Sequence, residues 1–379
     1  MEDQYTRRLQ KIEAVLQKWL PQTPDASWLE RVFGSQGESI SPELAGSLTR
    51  PGWDLVNRGG KRWRPLLMLL VAESIAGESG GEAALPLTPL VEFSHNASLI
   101  HDDIEDNSDE RRGKPAVHLI YGTDTAINAG TFMYFLPLAC LSAWAKDVTA
   151  GAAPIFIERF WMTWASHMRA LHLGQAMDIA WHRDYHSLPG LEEYDRMCRL
   201  KTGCLARLAA VLGVYCASLN ADAPENHRIS DLANIFGEAA ELLGVGFQIL
   251  DDVKNLDTGV PGKKRGDDIV EGKKSLPVLL YLHRYPEKRD FAASCFTAAS
   301  SLGPDAPEVE ALIKALEKAG VLEEARERGL EYIRKSRGIF AGGEAQPLAS
   351  AADSAQIVAG VPLKTEGREL LAGLIDLIG

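Results

Sequence analysis

The sequence predicts an all-α fold, a large single-domain helical bundle, and three observations support this prediction. Apolar residues recur at intervals of three and four along most of the chain, which is the period of a helix with one buried face. No run alternates between apolar and polar residues over the length of a strand, and no Asn-Gly or Asp-Gly turn joins β-branched segments. The 379 residues are 46% hydrophobic and 24% charged, a balance typical of globular proteins with a sizeable core.

The predicted elements follow from where the periodic segments begin and end. The first helix covers residues 1–20 and ends before Pro21 and Pro24, because proline cannot continue a helix. Two later loops, 107–115 and 257–274, are rich in glycine and charge. The remaining predicted helices lie near 64–77, 85–107, 125–146, 154–182, 191–219, 228–255, 275–284 and 365–379.

Charge and cysteine content narrow the classes of function. Forty basic and fifty-two acidic residues give a formal net charge of −12, which argues against a general nucleic-acid-binding protein. The five cysteines include no CxxC pair, so we expect a reducing compartment and a cytoplasmic protein. Residues 1–20 are charged throughout and contain no apolar core of a signal peptide.

One uncharged stretch raises the question of a membrane span. Residues 125–145 contain no Asp, Glu, Lys or Arg and are long enough to cross a bilayer. Asn128, Gly130 and Pro137 interrupt the stretch. A buried core helix is therefore the favoured interpretation, and we expect no stable membrane anchor.

The predicted helix at 85–107 carries a cluster of carboxylates. Its apolar residues form one stripe, which comprises Leu90, Phe93, Ala97, Ile100 and Ile104. The roughly opposite side presents His95, Ser98, Asp102 and Asp106, with Asp103 beside them. Asp102 and Asp106 lie one turn apart, about 5–6 Å. Their repulsion, about 3 kcal/mol at an effective dielectric of 20, requires a cation or a solvated surface to relieve it.

A second cluster has the same geometry on the predicted helix at 228–255. Its predicted apolar stripe comprises Ala239, Leu243, Phe247 and Leu250. Another face presents Gly244, Gln248, Asp251 and Asn255, with Asp252 adjacent. Clusters that offer only oxygen ligands suit Mg²⁺, which keeps waters and shares substrate phosphates. One cluster alone is equally compatible with an acidic, solvated helix end, but two such clusters favour metal sites.

Basic side chains accompany both clusters. The run RGGKRWRP contains no acid, two arginines follow the first cluster, and a longer basic loop follows the second. The basic residues are Arg58, Lys61, Arg62, Arg64, Arg111, Arg112, Lys263, Lys264, Arg265, Lys273 and Lys274. Guanidinium groups match phosphate oxygens bidentately, and lysine supplies a mobile point charge. Together with the two carboxylate clusters they predict two diphosphates bound in one cleft.

These motifs resemble the all-trans polyprenyl diphosphate synthase family. The matching segments are GGKRWRP, HNASLIHDDIEDNSDERRGKPAVH, LHLGQAMDIAW, LKTG, and FQILDDVKN followed by GKKRGDDIVEGKKSLP. HNAS, DDIEDNS and INAGTFMYFL are most similar to geranylgeranyl diphosphate synthases. The resemblance implies an isoprenoid-synthase bundle with a central active-site cavity, usually as a homodimer, and it covers a catalytic core at 55–285. Outside the resemblance, we expect N-terminal helices (1–54) and C-terminal helices (286–379) with a loose Gly/Ala/Ser-rich segment at 341–361.

The resemblance also implies a reaction and a role for each site residue. The enzyme would condense isopentenyl diphosphate with an allylic diphosphate by Mg²⁺-assisted ionisation, condensation and elimination. Roughly three Mg²⁺ ions per active site would be held by Asp102, Asp103, Asp106, Asp251 and Asp252. The allylic diphosphate would contact Arg111, Lys201, Lys263 and Lys273, and the isopentenyl diphosphate Lys61, Arg64, His95 and Arg112. Thr202 and Gln248 would lie beside the reacting carbon.

Two features bear on activity and product. Asn255 replaces a third Asp that many family members carry, which we interpret as a subfamily feature rather than a loss of activity. Ala97 and Ser98 are small, so the cavity below Asp102 stays open, and the next bulky floor would be Phe132, Tyr134 and Phe135. We therefore expect a twenty-carbon product, with fifteen-carbon and longer products left open.

Other functional classes account for fewer of the motifs. A metal-dependent phosphohydrolase of the HD type would use His95, His101 and Asp102, but the histidines are poorly aligned on a regular helix. A terpene cyclase would share the fold but would not need a second diphosphate site. A non-catalytic subunit would be expected to lack several acidic or basic positions, and nearly all are present.

Overall fold

The computed structural model describes residues 2–147, 153–219, 226–259, 264–340 and 363–378. These residues form helices almost throughout, which confirms the all-α prediction. The helices are α1 (Glu2–Trp19), α2 (Ala26–Phe33), α3 (Pro42–Asn57), α4 (Trp63–Ala76), α5 (Glu78–Ala84), α6 (Pro89–Glu105), α7 (Val117–Tyr121), α8 (Thr123–Asp147), α9 (Ala153–Arg183), α10 (Leu191–Cys198), α11 (Cys204–Ala217), α12 (Asn226–Asp257), α13 (Asp267–Val270), α14 (Leu276–Arg284), α15 (Arg289–Leu302), α16 (Pro307–Lys318), α17 (Val321–Phe340) and α18 (Thr365–Ile378). The predicted loose segment at 341–361 lies outside the described residues.

Every helix predicted from periodicity is present, and several others were not predicted. One of these is α3, whose interior contains Pro51 and Gly52, residues that signal a break in a sequence. It forms because Ser41 caps it, with its Oγ 3.2 Å from the Leu44 amide, and because Pro42 occupies its first turn. The loop at 107–115 contains a two-residue hairpin, β1 (Glu110–Arg111) paired with β2 (Lys114–Pro115), which is too short to show alternation.

The chain divides into two compact units, each assembled from separate stretches of sequence. The first unit comprises Met1–Met168, Arg207–Gly237 and Ile339–Leu374. Within it α6 packs closely on α8, where a Cβ on Gly130 would lie 2.7 Å from the His101 ring. The C-terminal helix belongs to its packing as well, since the Tyr5 hydroxyl donates to the Leu370 carbonyl at 2.5 Å.

The second unit comprises Arg169–Ala206, Glu238–Gly338 and Ile375–Gly379. Its hydrophobic core is formed mainly by α10, α12 and α14–α17, with fully buried side chains such as Leu279 and Phe296. The two units are defined by which residues pack together in space. They do not test the predicted segments 1–54, 55–285 and 286–379, which stay a prediction.

Within the described ranges, two helical runs are long and apolar enough to cross a membrane by length and composition alone. They are Thr123–Lys146 and Leu191–Ala217, of which the first includes the stretch noted in the sequence. Half of the most apolar 18-residue stretch of the first run is buried (50%), and 78% of that of the second run is buried. Core helices of globular proteins pass the same test, so these two runs are weak evidence for a membrane span.

Candidate active site

Helix α6 places the first carboxylate cluster at its C-terminal end. The predicted stripe is confirmed at Leu90, Phe93, Ala97 and Ile100, which are fully buried, and Ile104 is partly buried. Beyond the last buried turn, Asp102 and Asp106 are partly exposed, whereas Asp103 is completely buried. The three carboxylates therefore have different environments despite their proximity in sequence.

Arg111 lies against this cluster. Its Nε is 2.8 Å from Asp103 Oδ1, a second guanidinium nitrogen contacts the same oxygen, and Asp102 Oδ2 is 3.7 Å away. The hairpin that carries Arg111 is fixed by Arg58, which donates to the carbonyls of Arg111 and Pro115 at 3.0 and 2.9 Å. Arg58 therefore has a structural role, and Arg111 compensates the buried charge of Asp103.

Arg62, in the middle of the basic run, also has a structural role. Its backbone has a left-handed conformation, with φ of +47°, at the start of α4. The buried guanidinium is 2.7 Å from Glu13 and 3.1 Å from Glu92, and it also donates to the carbonyls of Val56 and Gly59. These contacts hold the loop before α4 against α1, α3 and α6.

Two of the predicted isopentenyl diphosphate residues, Arg64 and Arg112, lie near a third, His95. Arg64 approaches His95 Nε2 at 3.4 Å and stacks on Trp63 at 4.4 Å from the ring centroid. Burial, together with the charges of nearby arginines, lowers the pKa of His95 well below its usual value, so the imidazole is neutral at pH 7. Lys61 is exposed at the edge of this unit.

Arg112 completes this group. Its guanidinium donates to the Leu55 carbonyl at 2.9 Å and to Asn96 Oδ1 at 3.2 Å. Burial lowers the pKa of Arg112 to about 10, which still leaves it charged at neutral pH. A neutral imidazole surrounded by guanidinium groups is suited to an anion that carries several oxygens.

The predicted chain-length residues point in different directions. Ala97 is buried in the α6 stripe, and Ser98 donates its hydroxyl to the His95 carbonyl at 2.7 Å. On α8, Tyr134 stacks on the His101 ring of α6, with centroids 5.6 Å apart. Phe132 stacks instead on Phe33 of α2, and Phe135 is 58% exposed. The role of these residues stays a prediction, for which Tyr134 has the most suitable position on α8.

The second cluster lies on α12, in the second unit. Asp251 is exposed, whereas Asp252 is buried and accepts from the Tyr194 hydroxyl at 2.9 Å and from Gln248 Nε2 at 2.8 Å. Thr202 in turn donates to Gln248 Oε1 at 2.7 Å, which fixes the orientation of the amide. Burial raises the pKa of Asp252 to about 6, although these hydrogen bonds partly offset the effect.

The predicted stripe of α12 is partly wrong. Ala239 and Leu243 are fully buried, but Phe247 and Leu250 are only partly buried. Val245, Ile249, Val253 and Leu256 are buried as well, because α12 is covered on several sides. Asn255, which the sequence placed on the carboxylate face, is 2% exposed.

A π-helical turn at Arg199–Gly203 brings Thr202 to this cluster. The turn packs so closely on α12 that a Cβ on Gly244 would lie 2.7 Å from the Gly203 Cα. The neighbouring Lys201 forms an ion pair of 2.6 Å with the largely buried Asp178 of α9. Irregular turns of this kind frequently occur at functional sites of helices.

The basic residues of the loop after α12 differ in their contacts. Arg265 caps the end of α12 through the carbonyls of Leu256 and Asp257 and pairs with Glu310. Lys264 pairs with Asp305 on the surface. Lys273 lies against Glu271 and Asp268, whereas Lys263 lies outside the described residues.

Comparison with known proteins identifies the family of the chain. The model of the family described as polyprenyl synthetase matches residues 46–314. The chain belongs to the polyprenyl synthetase family. Its members catalyse prenyl transfer, so the chain is a prenyltransferase of the polyprenyl diphosphate synthase type. The matched range includes every predicted site residue, from Lys61 to Lys273.

Individual members of the family give the same result. The chain is 30% identical over 306 residues to geranylfarnesyl diphosphate synthase of Aeropyrum pernix, which covers 80% of this chain and 88% of that protein. It is 37% identical over 234 residues to geranylgeranyl pyrophosphate synthase of Eremothecium gossypii, with 61% and 68% covered. The crystal structure of geranylgeranyl pyrophosphate synthetase from Pyrococcus horikoshii superposes with a TM-score of 0.72 at 24% identity, covering 99% and 98%.

Membership of the polyprenyl synthetase family disfavours the HD-type phosphohydrolase, and the histidines agree. His95 faces Arg64, while the His101 nitrogens meet the Ala97 carbonyl at 2.9 Å and the Thr131 hydroxyl at 3.3 Å. In the described ranges, no group of three Asp, Glu, His or Cys side chains is arranged to hold a metal unaided.

The sequence did not single out several residues that hold the site of this polyprenyl synthetase together. Tyr194, Asp178 and the Glu92–Asn96 pair, in which the Asn96 amide is 2.8 Å from Glu92 Oε1, all orient predicted site residues. Tyr194 precedes Lys201 by two helical turns, which is a weak signal of a shared face. The other contacts have no local signal.

Proposed function

We propose that this prenyltransferase condenses isopentenyl diphosphate with an allylic diphosphate, with Mg²⁺, to give geranylgeranyl diphosphate. The observation that carries the proposal is the cationic group formed by Arg64 and Arg112 around the neutral His95. A cyclase that acts on one diphosphate has no use for this second anion site. The two carboxylate clusters and the cations beside them would bind the metal and the allylic diphosphate.

Three carboxylates are the best candidates for metal ligands. Asp251 is exposed, Asp102 is partly exposed, and Asp106 is partly exposed although both of its carboxylate oxygens are buried. Carboxylate oxygens match the preference of Mg²⁺. Asp103 and Asp252 are held internally, by Arg111 in one case and by Tyr194 and Gln248 in the other. We therefore propose that the internal pair orients the ends of α6 and α12 while the other three contact the metal. When bound, Mg²⁺ neutralises charge on the diphosphate leaving group.

The residues near Gln248 are suited to an allylic cation. Thr202 and Asp252 use both ends of the Gln248 amide, which holds its oxygen in one orientation. Together with backbone carbonyls of the Lys201–Thr202 turn, that oxygen would stabilise positive charge that develops on the substrate. Arg111, Lys201, Lys263 and Lys273 would bind the departing diphosphate, which then accepts the proton that is lost. No side-chain base is required.

The product length rests on the pocket below Asp102. Ala97 and Ser98 offer no bulky stop on α6, and Tyr134 of α8 is the aromatic residue that stacks onto α6 nearby. The chain is 37% identical to a relative named for a geranylgeranyl product and 30% identical to one named for a geranylfarnesyl product. The proposal is the twenty-carbon product, and fifteen-carbon and longer chains are outcomes of the test.

A homodimer is proposed from exposed apolar side chains of the first unit. Leu119 and Ile120 of α7, Ile127 and Phe135 of α8, and Trp161 and Met162 of α9 are between 43% and 58% exposed. Large apolar side chains exposed in such numbers are typical of association surfaces. Ile127→Glu should convert the dimer to a monomer in light scattering. An unchanged mass would place the interface elsewhere.

The function is tested by product analysis. The purified protein is incubated with Mg²⁺, labelled isopentenyl diphosphate and, separately, the five-, ten- and fifteen-carbon allylic diphosphates, and the dephosphorylated products are sized. A twenty-carbon prenyl alcohol supports the proposal, and a different length retains the reaction but changes the pocket assignment. Release of phosphate or a cyclic hydrocarbon without elongation would refute it.

Arg112→Ala tests the second anion site. The variant should raise the KM for isopentenyl diphosphate about 10–100-fold, since a charged hydrogen-bonding group is lost, with a much smaller effect on the allylic substrate. A cyclase or a hydrolase would be little affected by this change.

A further inference from the structure

The turn that carries Lys273 is held in an unusual way. Lys273 donates its backbone N–H to the Asp268 carbonyl at 2.8 Å, and its side chain lies between Glu271 and Asp268. Gly272 precedes it with φ of +75°, a conformation that a residue with a Cβ adopts only with strain. The direction of the Lys273 side chain therefore depends on what fixes the backbone of residues 266–274.

One anchor is Asn255, at the end of α12. Its Oδ1 accepts the Asp268 N–H at 3.2 Å, and its backbone carbonyl accepts the Gly266 N–H at 3.0 Å. The Asn255 side chain is 2% exposed, and its partner Asp268 is itself a buried carboxylate residue. An amide can hold the turn without adding a further buried negative charge, which an aspartate at this position would do.

The other anchor is Lys274, which is 2% exposed. Its Nζ donates to the Gly272 carbonyl at 2.9 Å and lies 4.4 Å from the Phe296 ring centroid and 5.8 Å from that of Tyr185. Among the described residues it forms no ion pair. Burial lowers its pKa to about 8, so the ammonium remains mostly charged at neutral pH. The charges of Asp184 and Asp178 partly offset the effect of burial on this pKa. A buried lysine without a direct ion pair destabilises a fold unless such charges, hydrogen bonds and aromatic faces compensate it.

The turn that carries Lys273 also packs closely against its neighbours. A Cβ on Gly272 would lie 2.8 Å from both the His182 carbonyl and the Tyr185 ring, so the turn is pressed against the end of α9. The Lys274 ammonium donates to the carbonyl of Gly272 itself. The backbone on both sides of Lys273 is thus tied to α9, α12 and α15.

We propose that Asn255 and Lys274 are positioning residues that hold Lys273 in the orientation needed to bind the allylic diphosphate. Asn255 in this role is not a metal ligand, although it occupies the place of a third aspartate in the motif. The inference rests on the proposed function only in taking Lys273 as a diphosphate-binding group.

The first test separates the two substrates. Lys274→Met keeps the length of the side chain and removes the charge. It should raise the KM for farnesyl diphosphate ~5–20-fold, as expected for losing the hydrogen bonds that hold one ligand group. The KM for isopentenyl diphosphate should change less than about twofold, and the melting temperature should not fall, because a buried charge is removed. Equal increases in both KM values, or none, would overturn the proposal.

A double-mutant cycle tests whether Lys274 acts through Lys273. In a Lys273→Ala background, Lys274→Met should have no further effect on the KM for farnesyl diphosphate. Additive effects would show an independent role and would contradict positioning. Lys314→Met, at an exposed lysine of α16 that pairs with Glu310, is the matched control and should change neither KM.

Asn255→Leu and Asn255→Asp separate positioning from metal binding. Asn255→Leu should raise the KM for farnesyl diphosphate and speed amide hydrogen exchange in residues 266–273, with the Mg²⁺ concentration for half-maximal activity unchanged. Asn255→Asp retains the acceptor oxygen and should leave that exchange slow. If Asn255→Asp instead lowers the Mg²⁺ requirement, the side chain faces the metal and the proposal is wrong for Asn255.

Binding of inorganic pyrophosphate with Mg²⁺, measured by calorimetry, keeps the inference separate from the proposed function. If the wild-type protein elongates no allylic diphosphate, the proposed function fails. Weaker pyrophosphate binding by Lys274→Met would still support positioning. Equal binding by the two proteins, or none by the wild type, would overturn it.

Discussion

The two carboxylate clusters share a sequence pattern but are stabilised by different interactions. In the first unit, the buried Asp103 is compensated by the full charge of Arg111. In the second unit, the buried Asp252 receives hydrogen bonds from the neutral groups of Tyr194 and Gln248. Consequently one carboxylate depends on an ion pair, whereas the other has a pKa raised to about 6. Similar motifs therefore need not respond alike to mutation or to pH.

The largest expected effect distinguishes exposed from internal carboxylates. Asp102→Ala and Asp251→Ala should each lower kcat about 10³-fold, because they remove charge stabilisation of the leaving group, while the free energy of unfolding changes little. The measurement is steady-state kinetics at saturating Mg²⁺ beside urea denaturation. Asp290→Ala, at an exposed acid, is the control. A loss of stability as large as the loss of rate would contradict the division between the two kinds of carboxylate.

The ion pair of the first cluster should be the more costly one to break. Arg111→Met removes the guanidinium that contacts the buried Asp103, so we expect the free energy of unfolding to fall by about 3–5 kcal/mol. Arg334→Met, which breaks a surface pair with Glu327, should change it by less than about 1 kcal/mol. Similar values for both variants would mean that Asp103 reaches solvent.

The second cluster should respond to pH. Burial raises the pKa of Asp252 from 3.8 to about 6, so between these values the folded protein binds more protons than the unfolded chain. The free energy of unfolding contributed by this group therefore falls, by about 3 kcal/mol in total, as the pH rises from about 4 to 6. Asp252→Asn should remove this part of the pH dependence. Parallel curves for wild type and variant, measured without divalent metal, would contradict it.

The smallest effect concerns a single hydrogen bond of the second cluster. Tyr194→Phe should lower the free energy of unfolding by about 1–2 kcal/mol, less than Arg111→Met does, because one neutral donor is lost. Tyr285→Phe serves as the control, since its hydroxyl makes no hydrogen bond among the described residues. A larger effect for Tyr194→Phe than for Arg111→Met would reverse the comparison between the clusters.

Much of the fold could be predicted because helix formation depends on residues that are close together in the sequence. The 3.6-residue period of apolar side chains identified α6, α8, α9 and α12, and the spacing of Asp102 and Asp106 follows from one helical turn. Helix α3 was missed because Pro51 and Gly52 are local signals of a break, whereas tertiary packing tolerates them there. The stripe of α12 was partly wrong because several neighbours bury that helix.

The sequence by itself determined the all-α class, the two carboxylate clusters and the presence of many cations, since each depends on residues within a few turns. Only the tertiary structure decided which cations are structural. Arg62 forms ion pairs with Glu13 and Glu92, which are distant in the sequence. Arg64, two residues later, approaches His95 instead. Likewise Asp252 meets Tyr194 across 58 positions. Such pairings depend on how helices pack, and the free energy of a buried charge depends on partners that no local pattern specifies.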